Sequence, residues 1–144
     1  MKSTTNIEQL IPHRYPFLFV DEITSATQEE IIGITTFNHN NVLLKGSNPE
    51  TGIVPGTIIL ESMAQCGGAG VRLLGITNGI FALAHIESVQ FFDEVKYGEK
   101  VRYEISNLRM SEKIIKQSGK AYFEDILLME ASWMSIRIDR GHSK

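Results

Sequence analysis

Glu61 and Gln65 stand four residues apart on a stretch, Gly56 to about Leu74, that otherwise carries mostly apolar side chains. If that stretch is helical, the carboxylate and the amide share one face. A carboxylate on a buried helix is costly unless it is paired, hydrogen-bonded or neutral, and such a group suits general acid or base work. The start of the same stretch, Gly56-Thr57, would offer free backbone N–H groups and the positive end of the helix dipole. An end of that kind can polarise a thioester carbonyl and hold the enolate that forms on proton removal. The plain alternative is that Glu61 pairs with a buried arginine, Arg14 or Arg72. A second polar and aromatic cluster, Pro12-His13-Arg14-Tyr15-Pro16-Phe17, feeds the first candidate strand.

The elements that must position these groups follow from the pattern. Ile7 to Ile11 suits a short helical turn stopped by Pro12. Phe17 to Thr24 and Ile31 to Phe37 read as β-branched and aromatic strands, with Ser25 to Glu30 turning between them. Asn38 to Gly52 is the one long irregular stretch, and loops of that length are often functional. From Gly56 onward, Ile58, Ile59, Leu60, Met63, Val71 and Leu73 cover nearly every helical face, as expected of a helix buried at the centre of a protein. Gly67, Gly68 and Gly70 each cost about 1 kcal/mol against alanine there, which implies close approach by another backbone unless the helix ends near Gly67. Ile80 to Phe91, Lys100 to Met110, Lys113 to Phe123 and Ile126 to Ile138 read as strands, with turns near Ser111 and at Glu124-Asp125. Two strands, one buried helix and an antiparallel meander make an α+β sheet wrapped around a central helix, a single domain over residues 1–144. An edge strand of such a sheet commonly pairs with its twin, so a dimer is expected.

Composition narrows the function. The chain has 144 residues, 42% hydrophobic and 22% charged, with a net charge of −3, so nothing favours a nucleic-acid backbone or an anionic membrane as partner. No run approaches the ~18 apolar residues of a membrane span, and Met1 to Asn6 lead into no apolar segment; a cytoplasmic protein is the expectation. Cys66 is the lone cysteine and reads as a small buried hydrophobe. Neither a glycine-rich phosphate loop nor a His/Cys cluster is present, so no metal or nucleotide cofactor is expected.

Two runs, Pro12-His13-Arg14-Tyr15-Pro16-Phe17-Leu18-Phe19-Val20-Asp21 and Pro55-Gly56-Thr57-Ile58-Ile59-Leu60-Glu61-Ser62-Met63-Ala64-Gln65, closely resemble the opening and central-helix motifs of the bacterial 3-hydroxyacyl-acyl-carrier-protein dehydratases. Ala84-His85-Ile86-Glu87-Ser88-Val89-Gln90-Phe91 is a weaker third match. The resemblance implies a hotdog fold and an acyl tunnel at a dimer interface. It also implies a catalytic glutamate at Glu61, a carbonyl-binding amide at Gly56, and a substrate carried on a phosphopantetheine arm by acyl carrier protein or coenzyme A. Gln65 would orient Glu61, while Tyr15, Phe91 and Trp133 read as core or tunnel wall.

One departure stands out. The family carries Gly-His-Phe-Pro before the helix, with its histidine as catalytic base; counted back from Glu61 without gaps, this chain reads Gly46-Ser47-Asn48-Pro49, and Gly52 replaces a second proline. A serine hydroxyl alone is too weak a base for a thioester α-proton. His85 is a candidate substitute base and His39 a remoter one; His13 reads as structural and His142 as solvated. Three functions stay open: a divergent dehydratase, a half-catalytic or non-catalytic partner in a heterodimer with a histidine-bearing paralogue, and a thioesterase using Glu61. A binding protein without chemistry is the alternative outside that group. Arg14, Lys96 and Lys100 are basic residues that could receive an acidic carrier.

Overall fold

The computed structural model describes residues 6–47, 50–77 and 79–138. A 3₁₀ turn, Ile7–Gln9, precedes strands β1 (Glu22–Ala26) and β2 (Glu30–Thr36). Helix α1 (Gly56–Leu73) follows, then β3 (Phe81–Phe91), β4 (Lys100–Met110), β5 (Ile114–Phe123) and β6 (Ile126–Arg137). All strand pairs are antiparallel, in the order β1-β2-β4-β5-β6-β3. The sheet wraps around α1, which is the expected α+β hotdog arrangement. Among the described residues no helix is long and apolar enough to cross a membrane.

Pro55, lacking an N–H, sits at the N-cap of α1, where that donor is not missed. At the other end Gly75 adopts the left-handed φ of 76° and its N–H bonds the Arg72 carbonyl at 3.0 Å, which stops the helix. α1 therefore runs through its glycines, and close contacts at two of them and at one glycine of the sheet show why. The Ile31 side chain of β2 fills the place of a Cβ on Gly70, the Gln117 amide of β5 does so at Gly67, and the Cys66 thiol does so at Gly33 of β2. Side chains of one layer thus enter glycine gaps in the other, and helix and sheet approach closely. Gly68 differs, because an added Cβ would meet only Ile11, at 4.0 Å. Gly70→Ala should therefore lose about 1–3 kcal/mol by overpacking, whereas Gly68→Ala should gain about 0.5–1 kcal/mol of helix propensity. Urea midpoints of the two variants check this opposition.

The sheet begins later than its composition suggests. Phe17 to Asp21 are not strand; β1 starts at Glu22. The backbone at Phe17 and Phe19 bonds side chains of α1, with Phe19 N–H donating to Gln65 Oε1 at 2.9 Å and Ser62 Oγ donating to Phe19 O at 2.6 Å. Pairing with β2 starts at Asp21, whose N–H donates to the Ile34 carbonyl at 3.1 Å. The described part of Asn38 to Gly52 forms turns only. β3 is an edge strand, hydrogen-bonded on one side to β6, with Ala84 to Ser88 exposed. His142 lies outside the described residues.

Candidate functional site

The two polar interruptions of the apolar plan meet in space. Gln65, buried at 3% exposure, is their junction. Its Oε1 accepts from Phe19 N–H, and its Nε2 donates to the Phe17 carbonyl at 3.0 Å and to Glu61 Oε2 at 2.9 Å. Ser62 adds a second tie, bonding Phe19 O and accepting from the buried Tyr103 hydroxyl at 2.6 Å. Burial drives the Tyr103 phenol far above its ordinary range, so it serves as a fixed donor. One face of α1 thus holds the opening motif by side-chain hydrogen bonds and aims the Glu61 carboxylate. Gln65→Leu would strand the Phe19 N–H and the Phe17 carbonyl, at about 1–3 kcal/mol for each buried group left unpaired; chemical denaturation measures the loss.

Across from Glu61 stands His13, with Nε2 3.6 Å from Oε2. Its Nδ1 is buried without a hydrogen-bond partner among the described residues. Burial, the largest influence, holds the imidazole below its ordinary pKa; Glu61 pulls it up and Arg14 pushes it down. The ring is therefore biased toward its neutral form, able to take a proton. Neither arginine clamps the carboxylate. Arg14 bonds the Ile11 and His13 carbonyls and lies 3.9 Å from Glu8, and Arg72 bonds the Leu10 carbonyl. Glu61, His13 and Gln65 open on a cavity of about 250 Å³, walled by apolar residues such as Ala64, Leu83 and Ile115.

The other expected site residues lie elsewhere. Ser47 lines a separate cavity of about 570 Å³ with His39, Lys45, Lys96 and Tyr97; within the protomer neither Ser47 nor His39 shares the cavity of Glu61. His85 is turned away from it. β3 pairs His85 with Met134, and β6 pairs Met134 with Lys116, whereas Ile86, Trp133 and Gln117 form the adjacent row. Gln117 bonds Gly67 of α1, so its row faces the helix and the row of His85 faces outward. There His85 lies in the electrostatic surroundings of Glu87, which bonds Lys116 at 3.1 Å.

Gly56 and Phe91 meet each other at the start of α1, the Phe91 ring filling the place of a Cβ on residue 56. Glu61 lies five residues further, roughly 7.5 Å along the helix axis. Tyr15, 63% exposed, accepts the Val42 N–H at 3.3 Å and flanks the asparagine-rich loop. Cys66 is fully buried and its thiol is pushed up to about 12, an inert core group. His13, read as structural from the sequence, is the imidazole that faces Glu61. The only hint in the sequence was that it belongs to one of the two polar clusters. Among the described residues no group of three or more His, Cys, Asp or Glu is placed to hold a metal.

Residues 11–132 match the FabA-like domain family. The chain belongs to that family. Among curated relatives, the 3-hydroxyacyl-[acyl-carrier-protein] dehydratase FabZ of Sulfurimonas denitrificans is 32% identical over 142 residues, covering 93% of this chain and 95% of that protein. The FabZ of Fusobacterium nucleatum is 33% identical over 141 residues, covering 96% and 99%. Among solved structures, the dehydratase heterocomplex ApeI:P from Xenorhabdus doucetiae superposes with a TM-score of 0.82 at 16% identity, covering 96% of this chain and 94% of that one. A hypothetical thioesterase from Streptococcus pneumoniae with coenzyme A gives 0.61 at 14% identity, covering 81% and 84%. At these identities the structural likeness is one of fold. For this FabA-like domain the hotdog arrangement and the dehydratase family are thus fixed, and the chemistry rests on its own residues.

Proposed function

We propose that this FabA-like domain dehydrates 3-hydroxyacyl thioesters presented on a phosphopantetheine arm, with His13 as base and Glu61 as acid. The observation that carries this is the 3.6 Å approach of the His13 imidazole to the Glu61 carboxyl at one end of an apolar cavity. The α-proton passes to a ring nitrogen of His13, and its bonding pair becomes the new carbon–carbon double bond. The β-carbon–oxygen bond breaks as Glu61 protonates the departing hydroxyl, releasing water. Return of the proton from His13 to Glu61 across the same gap restores both groups, so the cycle balances without an added acid or base. Gln65 aims the carboxyl, whereas Gly56, covered by the Phe91 ring, does not line this cavity and takes no part in the scheme. No cofactor beyond the pantetheine arm is required by this scheme.

A second reading is favoured by the placement of Ser47 away from Glu61 and by the exposed edge of β3. A paralogue paired along that edge could bring a histidine to Glu61, in the manner suggested by a dehydratase heterocomplex sharing this fold. One assay separates the possibilities. The purified chain is mixed with a 3-hydroxyacyl carrier protein, and the enoyl thioester is followed by its ultraviolet absorbance and free thiol by a trapping reagent. Enoyl product from the chain alone is expected. Product only with the paralogue present would replace His13 by a partner's base, and thiol release without enoyl product would make the protein a thioesterase.

A further inference from the structure

The cavity in front of Glu61 continues along the helix. Residues 61, 64, 65, 68 and 72 lie on one helical stripe and all line it. Glu61 and Arg72 are eleven residues apart, roughly 16 Å of helix axis. Between them the helix contributes Ala64 and Gly68 and the sheet contributes Leu83 and Ile115. Gly68 is the α1 glycine that tight packing does not explain, since a Cβ there would reach its nearest neighbour only at 4.0 Å. Its missing side chain leaves room for a chain to pass.

Beyond Gly68 the wall becomes polar again. Arg72 is partly buried and donates to the Leu10 carbonyl at 3.4 Å, a long bond, and no carboxylate of the described residues lies within 4.0 Å of it. Thr77 and Ser135 line the same cavity. A hydrocarbon tail ending against this guanidinium would strip water from a charge and return nothing. A tail ending in a carboxylate would replace that water with charge-assisted hydrogen bonds.

We propose that the cavity selects acyl chains whose distal end carries a carboxylate, with Arg72 as the specificity-determining contact. This rests on the assignment of the cavity to acyl thioesters and names the substrate class within it. The test is calorimetric binding of two unreactive thioether analogues on N-acetylcysteamine, one with a decyl tail and one with the same tail ending in a carboxylate. The intact chain should bind the carboxylate form about tenfold more tightly, as expected for one charge-assisted contact. Arg72→Gln should remove that preference, weakening the carboxylate ligand and binding the decyl ligand at least as tightly as the native chain does. Arg72→Lys should retain part of it, and Gly68→Leu should weaken both ligands by blocking the passage. Equal binding of both ligands, or a preference that survives Arg72→Gln, overturns the role of Arg72 while the acyl site stands. Failure of the intact chain to bind either ligand overturns the acyl site itself. Thermal melts of each variant confirm that the fold is present.

Discussion

Glu61→Gln should slow enoyl thioester formation by about a hundred- to ten-thousandfold, the range for loss of a positioned general acid, while the protein stays folded. The substitution keeps the shape of the side chain and leaves an amide oxygen to accept the 2.9 Å hydrogen bond from Gln65. It breaks no arginine pair, because Arg14 and Arg72 bond backbone carbonyls and Glu8 instead. The melting temperature should therefore move little. Binding of an unreactive thioether should persist as well, so the loss falls on kcat rather than on affinity, the signature of an interaction made in the transition state. Single-turnover absorbance read beside a thermal melt checks both halves. A variant that turns over at the native rate would remove Glu61 from the chemistry, whatever it contributes to the cavity.

The parts of this site that could be read from the sequence are those encoded by local spacing. The four-residue interval of Glu61 and Gln65 specified a shared helical face, and the two side chains are hydrogen-bonded. The run free of proline after Pro55 marked a helix to about Leu74, and α1 ends at Leu73. Where partners are distant in the chain, local rules failed. Phe17 to Asp21 have strand composition, but Phe17 and Phe19 bond Ser62 and Gln65, more than forty residues away, and pairing with β2 starts at Asp21. The outward face of His85 was equally hidden, because β3 slips register between Leu83 and His85 and again between Ile86 and Ser88. Each slip exchanges the inward and outward sides of the strand, so alternation along it carries no reliable orientation. Counting back from Glu61 located Ser47 in the chain but could not say that it opens on a different cavity.

His13→Asn tests the least legible part of the site. It should lower kcat by about a hundred- to ten-thousandfold, as for loss of a general base. The distinguishing readout is the pH profile. Burial holds the imidazole below its ordinary value, about 6.5, so the acidic limb of kcat/KM in the native protein should fall below that point. In the variant the residual activity should lose that limb. Stability moves in a linked way. A pKa depressed by folding means that the folded state favours the neutral ring, so the stabilisation is complete above the unfolded value and is lost as pH falls through the lowered folded value. Urea midpoints at about pH 8 and about pH 5 should therefore separate more widely for the native chain than for His13→Asn. A group that only packs would shift the midpoints and leave the shape of the activity profile alone. If the variant keeps the native acidic limb, the proton is being taken by some other base, and the exposed edge of β3 is where a partner carrying one would dock.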